Sequence, residues 1–415
     1  MSATARAREG ISGFDGLRAV AALTVLTYHV GIASGVTRSG WLAPVGWELK
    51  AGVAIFFVIS GALLYLPYAR GLRDGSGAPD WRRYARRRAV RILPAYWLAL
   101  SVTAIGPFHA GVFGSYGWRY YGLSQIYASQ TLFGGLGVAW SLCVEVTFYL
   151  ALPLFAMFVA RLASGRRCGG AAWVQLILIG ALGLGSLSLR AAVAGSLSAP
   201  TQGATLMVAL PGLLDWFAIG MSLAVLRAAL EASGVSSGVI AALVRRPGRC
   251  VLLALAVFAA AVPTQRGDTF LPWYGLVTHL AIGLASGLLV ASVIVPRPAL
   301  ARRRVLCHPL LAWLGTISYG IYLWHLLVLQ LLAPHLLPSG PSGSLAGALI
   351  TWLVVVAGAV ICGAASWYLV ERPLQRFCAG RRGGRQPGHM AEMAAPVHST
   401  LDPLNSAGVA ADHLA

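Results

Sequence analysis

Along the chain, apolar residues neither alternate nor mark a single helical face. They come in long runs divided by short polar connections, at 16–36, 49–68, 90–107, 138–160, 173–194, 204–226, 249–263, 271–295, 312–334 and 345–369. A helix needs about 20 apolar residues to cross a bilayer core, so the pattern predicts an all-α, polytopic membrane protein with about ten transmembrane helices. The run at 249–263 is the shortest. The first run is too long for a signal peptide and no small-residue cleavage site follows it, so no cleavable leader is expected. Three regions follow from this reading: an N-terminal segment 1–12, a membrane domain 13–374, and a tail 375–415. The tail's mixed, aperiodic composition predicts disorder.

Composition agrees with the pattern and excludes several classes. Apolar residues make up 57% of the 415 residues and charged ones 11%, with a mean hydropathy of +0.71; soluble domains carry about a quarter charged residues. The net charge of +19 raises the question of nucleic acid. No nucleic-acid partner is expected, because the basic residues form short clusters between apolar runs and not one patch or stripe. Counted loop by loop, 26 of them fall on one side of a ten-span arrangement and four on the other. Cytoplasmic loops retain Arg and Lys, so both termini are expected in the cytoplasm and the protein in the inner (plasma) membrane. Six scattered cysteines form no CxxC pair, which predicts free thiols and no metal site.

Polar residues inside the spans carry the candidate chemistry, since a charge at mid-bilayer costs about 2.5–3.5 kcal/mol on insertion scales. Arg18 and His29 lie eleven residues apart in the first span, about 16 Å along a helix and on nearly one face; Asp15 sits one turn before Arg18. The second span holds FFVISG, where Ser60 and Gly61 read either as participants or as a small pair for close packing. Arg88 and Arg91, three apart at the entry to the third span, suit phosphate or merely anionic headgroups. In WSLCVEVTFY, Ser141, Glu145 and Tyr149 share a face next to Trp140, and in SYGIYLWH so do Ser318, Tyr322 and His325. Asp215 stands alone in the sixth span. Glu371, at the end of the tenth, reads as a structural pair for a loop Arg. Outer-loop aromatics at 108–131, among them Tyr116, Trp118, Tyr120, Tyr121 and Tyr127, suit either sugar stacking or an interfacial belt.

Taken in order, FDGLRAVAAL with the Arg18–His29 spacing, FFVISG, RAVRILP, WSLCVE, SYGIYLWH and the final ERP resemble the bacterial integral-membrane acyltransferase family 3. That family includes O-acetylases of lipopolysaccharide, peptidoglycan, Nod factors and macrolides. The resemblance implies acyl-CoA, acetyl-CoA above all, as a cytoplasmic co-substrate, no tightly bound cofactor, and a glycan or small-molecule hydroxyl as acceptor. Many glycan-modifying members carry a soluble SGNH-type domain after the membrane part, whereas only about 45 residues follow the tenth span here. That tilts the expectation toward a small-molecule or simple-glycan acceptor.

Acyl transfer needs a general base, an oxyanion partner and an anchor for an anionic donor. His29 suits the first role, with Glu145 as its orienter. Arg18, Arg88 and Arg91 suit the CoA phosphates, Ser60 the oxyanion, and Tyr322 and His325 substrate contact. Asp15, Trp140, Ser141 and Asp215 would support them. The alternative class is a transporter, in which buried Arg, His and Glu form a relay; it would move substrate without consuming acyl-CoA.

Overall fold

The computed structural model describes residues 3–38, 42–106, 111–165, 168–195, 205–233, 246–262, 272–294, 306–337, 340–341 and 343–380. The described residues contain helices and turns but no strand. Contacts divide the chain after Gln375, and the features below belong to the unit ending there.

The first helix, α1 (Ala3–Ser34), is followed by the short α2 (Ala43–Glu48), which runs through a 3-10 turn into α3 (Gly52–Asp74). Next comes α4 (Trp81–Ile105), where the Asp80 side chain accepts from the Arg82 amide and caps the first turn. The Arg-rich stretch before the third span is therefore helical, and Arg88 and Arg91 project from one rod. A compact connection containing α5 (Gly117–Tyr121) leads to α6 (Trp140–Ala163). Then follow α7 (Cys168–Gly195), α8 (Leu210–Ser233), α9 (Pro247–Ala261) and α10 (Pro272–Ile294). A short α11 (Pro309–Thr316) precedes α12 (Ser318–Leu336) and α13 (Leu345–Ser366). A π-turn at Trp367–Glu371 leads into α14 (Arg372–Gly380).

Nine of the described helices are long and apolar enough to cross a membrane. The seventh expected span, 249–263, is a 15-residue helix, Pro247–Ala261, which covers about 22 Å at 1.5 Å per residue and falls short of the usual length. It packs along α10. The ninth expected run, 312–334, is broken at Ile317 into α11 and α12.

The first helix touches α3, α10, α11, α12 and α13, so the span with Arg18 and His29 runs through the middle of the packing. Glycines permit the closest approaches. A Cβ on Gly16 would meet the Leu306 carbonyl, and one on Gly315 the Asp15 backbone. The α3–α8 seam is built the same way, with Gly61 against the Phe217 carbonyl and Gly220 against that of Val58, the small-residue packing typical of membrane helices. Gly61 thus takes the packing role that its sequence left open. Gly61→Val should destabilise the seam by about 1–3 kcal/mol, measured as a lower thermal midpoint in detergent. Farther along α3 and α8, Arg70, Arg73 and Arg227 gather on Glu231 at 2.6, 3.2 and 2.9 Å.

Candidate active site

One cavity of about 290 Å³ collects the polar residues of several spans. Arg18 enters it from α1, Ser60 from α3, Arg88 and Arg91 from α4, and Glu145 and Tyr149 from α6. Ser141, Ser318, Tyr319 and Tyr322 complete its polar wall. The i, i+4, i+8 face of α6 therefore turns inward as a unit, and Ser318 and Tyr322 of the α12 face join it.

Glu145 is the only carboxylate among these lining residues. Its Oε1 accepts from the Ser60 hydroxyl and the Tyr149 phenol, each at 2.5 Å. Ser60 thus commits its single hydrogen to Glu145 and has none left for an oxyanion. Arg18 is tied to Asp15 at 2.8 Å. Neither Arg88 nor Arg91 makes an ion pair among the described residues. Arg88 lies 5.8 Å from the centre of the Tyr149 ring, and its buried Nε has no hydrogen-bond partner. An unpaired buried guanidinium nitrogen is costly, and it marks the wall where an anion would be held. A second cavity of about 340 Å³, lined by Tyr68, Asp80, Arg83, Tyr84 and Arg87, shares Leu63, Leu64 and Arg88 with the first.

The histidines stand outside this cavity. Its lining ends at Phe56 and Tyr322, whose rings are 5.9 Å apart. Tyr322 hydrogen-bonds Val138 O at 2.9 Å and Ser141 Oγ at 2.7 Å. Beyond it lies His325, with ring centres 5.8 Å apart, and then His29 at 5.1 Å from His325. His325 Nδ1 approaches Tyr322 O at 2.8 Å, and His29 Nδ1 approaches Val25 O at 3.0 Å. A carbonyl only accepts, so each Nδ1 carries the hydrogen. His325 Nε2, 3.2 Å from His29 Nδ1, is then an acceptor. This pattern satisfies every contact and leaves the His29 Nε2 lone pair free. His29 thus contacts His325, while the hydrogen bonds of Glu145 go to Ser60 and Tyr149.

Asp215 belongs to a different cluster. Its Oδ2 lies 2.9 Å from His279 Nε2 and its Oδ1 accepts from Ser186 at 3.0 Å, all three side chains being buried. Trp216 stacks on His279 with ring centres 4.3 Å apart. The cluster joins α7, α8 and α10 and contributes nothing to the cavity lining, so the supporting role expected of Asp215 becomes a clasp between helices. Asp215→Asn should cost about 1–2 kcal/mol, read as a fall in thermal midpoint with turnover retained.

Other expectations resolve locally. Trp140 starts α6 and packs, half-buried, against the core. Glu371 accepts from Ser366 at 3.1 Å and, among the described residues, forms no ion pair with a loop Arg. In the connection between α4 and α6, Tyr120 is buried and its carbonyl accepts from the Tyr96 phenol, while Tyr116, Trp118 and Tyr127 are exposed. The Tyr121 carbonyl accepts from the Trp97 indole and its phenol pairs with Ser101 Oγ at 2.8 Å, which ties the connection to α4. Cys143, Cys307, Cys362 and Cys378 are free thiols. Sequence reasoning missed Tyr319, whose OH donates to Ile92 O at 2.8 Å across the cavity wall, and it missed His279.

These features define a polytopic membrane protein whose helices enclose a cationic polar chamber. Residues 11–371 match the family described as an acyltransferase domain (Acyl_transf_3), and the chain belongs to that family. It is 27% identical over 396 residues to a putative peptidoglycan O-acetyltransferase, YrhL, of Bacillus subtilis (strain 168), covering 88% of this chain and 55% of that protein. It is 25% identical over 399 residues to the peptidoglycan O-acetyltransferase OatA of Listeria monocytogenes (strain ATCC BAA-679 / EGD-e), covering 90% and 57%. A putative O-acetyltransferase of Staphylococcus aureus (strain COL) is 25% identical over 335 residues, 77% of this chain and 51% of that protein. The chain thus spans about half the length of the curated relatives it matches. No solved structure matches it.

Proposed function

We propose that the chain is an O-acyltransferase of the cytoplasmic membrane, moving an acetyl group from acetyl-CoA to a hydroxyl of a glycan or small molecule. The observation that carries this reading is the chamber wall, where, among the described residues, Arg88 and Arg91 lack an ion pair and Arg88 Nε lacks a hydrogen-bond partner. Such a wall fits a phosphate-bearing donor. Both termini face the cytoplasm on this reading, with α9 completing the tenth crossing, so the donor reaches the Arg-lined end of α1 from inside.

In the transfer step, His29 Nε2 takes the proton of the acceptor hydroxyl as its oxygen bonds to the acyl carbon. The carbon–sulfur bond then breaks, and the departing thiolate receives the proton from His29. His325 is the positioning residue: by accepting from His29 Nδ1–H it keeps the lone pair on Nε2. Glu145 balances the chamber's positive charge and fixes Ser60 and Tyr149. Tyr322 and Phe56 separate the chamber from the histidines, so the acyl end passes them when the Tyr322–Ser141 contact opens.

Purified protein given radiolabelled acetyl-CoA is expected to release CoA and acetylate a hydroxyl acceptor. Movement of a labelled substrate across proteoliposomes without release of CoA would replace this reading with the transporter.

A further inference from the structure

Away from the arginine chamber, α7 meets the α3–α8 seam around a separate cavity of about 230 Å³. It shares no lining residue with the two cavities described above. Its walls are small and apolar: Ala69 from α3, Ala171 and Ala172 from α7, Val225 and Ala228 from α8. The polar side chains that line it are Arg73 and Gln175.

Gln175 is the side chain that the fold leaves incomplete. It is 3% exposed, and its Nε2 donates to Ala171 O at 3.2 Å, while its Oε1 has no hydrogen-bond partner among the described residues. The bond to Ala171 assigns the nitrogen, so the orphan atom is a carbonyl oxygen, which only accepts. Leaving a buried acceptor unmet costs about 1–3 kcal/mol, and inside a bilayer no bulk water is at hand to meet it. The missing donor belongs to whatever enters the cavity.

The rim says what that is. Arg73 joins Arg70 and Arg227 on Glu231, and Asp74 lies 2.6 Å from its Nε. Three guanidiniums against two carboxylates leave one positive charge at the mouth. The span Gly169–Ala194 has 26 residues, about 39 Å of helix, and so overreaches a hydrocarbon core of about 30 Å. Gly169, which also lines the cavity, therefore stands at the level of the lipid head groups. An occupant arriving there must carry one negative charge and, a short reach away, a hydrogen to donate. A phosphodiester lipid with a hydroxylated head carries both. A choline head has no such hydrogen, and an ethanolamine head brings no net charge.

We propose that the cavity between α3, α7 and α8 is a binding site for phosphatidylglycerol, its phosphate held at Arg73 and a head-group hydroxyl donating to Gln175 Oε1. The site stands independently of the acyltransferase reading. When occupied, it fastens α7 to the seam at the end where small side chains leave the helices apart.

The test titrates lipids into the full chain, delipidated in detergent, with binding read by native mass spectrometry and by thermal midpoint. Dioleoyl phosphatidylglycerol is expected to bind as one tight molecule per chain, about fivefold more strongly than dioleoyl phosphatidylethanolamine, and to raise the midpoint. Gln175→Met keeps the shape but removes the acceptor, and should weaken phosphatidylglycerol about 2–10-fold, the contribution of one hydrogen bond. Its midpoint without lipid should match or exceed the parent's, because the orphan acceptor is gone; this separates a lost site from a lost fold. Ala172→Leu fills the cavity and should abolish the preference for phosphatidylglycerol. Equal affinity of the parent for the two lipids, or unchanged phosphatidylglycerol affinity in either variant, overturns the site. So does equally tight binding of glycerophosphoglycerol, the same head without chains, since the occupant would then be a soluble phosphodiester and not a lipid.

Discussion

Replacing His29 with alanine is expected to lower acetyl transfer by about 10²–10⁴-fold, the usual contribution of a positioned general base, without unfolding the protein. His29 is only half-buried, and its side-chain hydrogen bonds are to Val25 O in its own helix and to His325. Truncation therefore leaves α1 intact and does not expose a core. The measurement is acceptor-dependent CoA release alongside thermal midpoint and acetyl-CoA affinity. A loss confined to turnover assigns His29 to the chemical step, and wild-type turnover removes it from the mechanism. His325→Ala should show a smaller loss, because His29 Nδ1–H keeps Val25 O as an acceptor and only part of the tautomer control disappears.

The double variant Arg88→Ala/Arg91→Ala is expected to weaken acetyl-CoA binding by about 10²–10⁴-fold, since each charge-assisted hydrogen bond contributes about 1.5–3 kcal/mol. Neither guanidinium forms an ion pair among the described residues, so removing them strands no buried acid as a direct partner. The effect should appear in the donor KM far more than in kcat at saturating donor. Arg88→Lys restores the charge but not the planar fork, and should recover only part of the affinity. Unchanged donor affinity in the double variant would leave topology and lipid contact as the purpose of these residues.

Much of this arrangement was legible along the chain, because helical periodicity fixes which residues of one span share a face. Ser141, Glu145 and Tyr149 follow from spacing alone, and all three line the cavity. Partners from different spans were less legible. Each helix rotates about its own axis to seat glycines such as Gly61 and Gly220 against a neighbour's carbonyl, and those rotations leave no periodic trace. Glu145 thus lay at a depth consistent with pairing to His29 but turned toward Ser60, while His325 took its place. His279 stands in an otherwise apolar run, and only the fold reveals Asp215 64 positions away as its partner. The seventh span showed the limit of run length as a guide, since 249–263 becomes a helix of only 15 residues.

The pair of rings at Phe56 and Tyr322 has a meaning for the cell as well as for the substrate. A membrane sustains its ion gradients only while no continuous wet path crosses it, and here an arginine-lined hollow approaches from one end of α1 while a half-exposed histidine approaches from the other. Those two side chains form the insulation between them. The phenol of Tyr322, anchored to Val138 and Ser141, holds that separation in place.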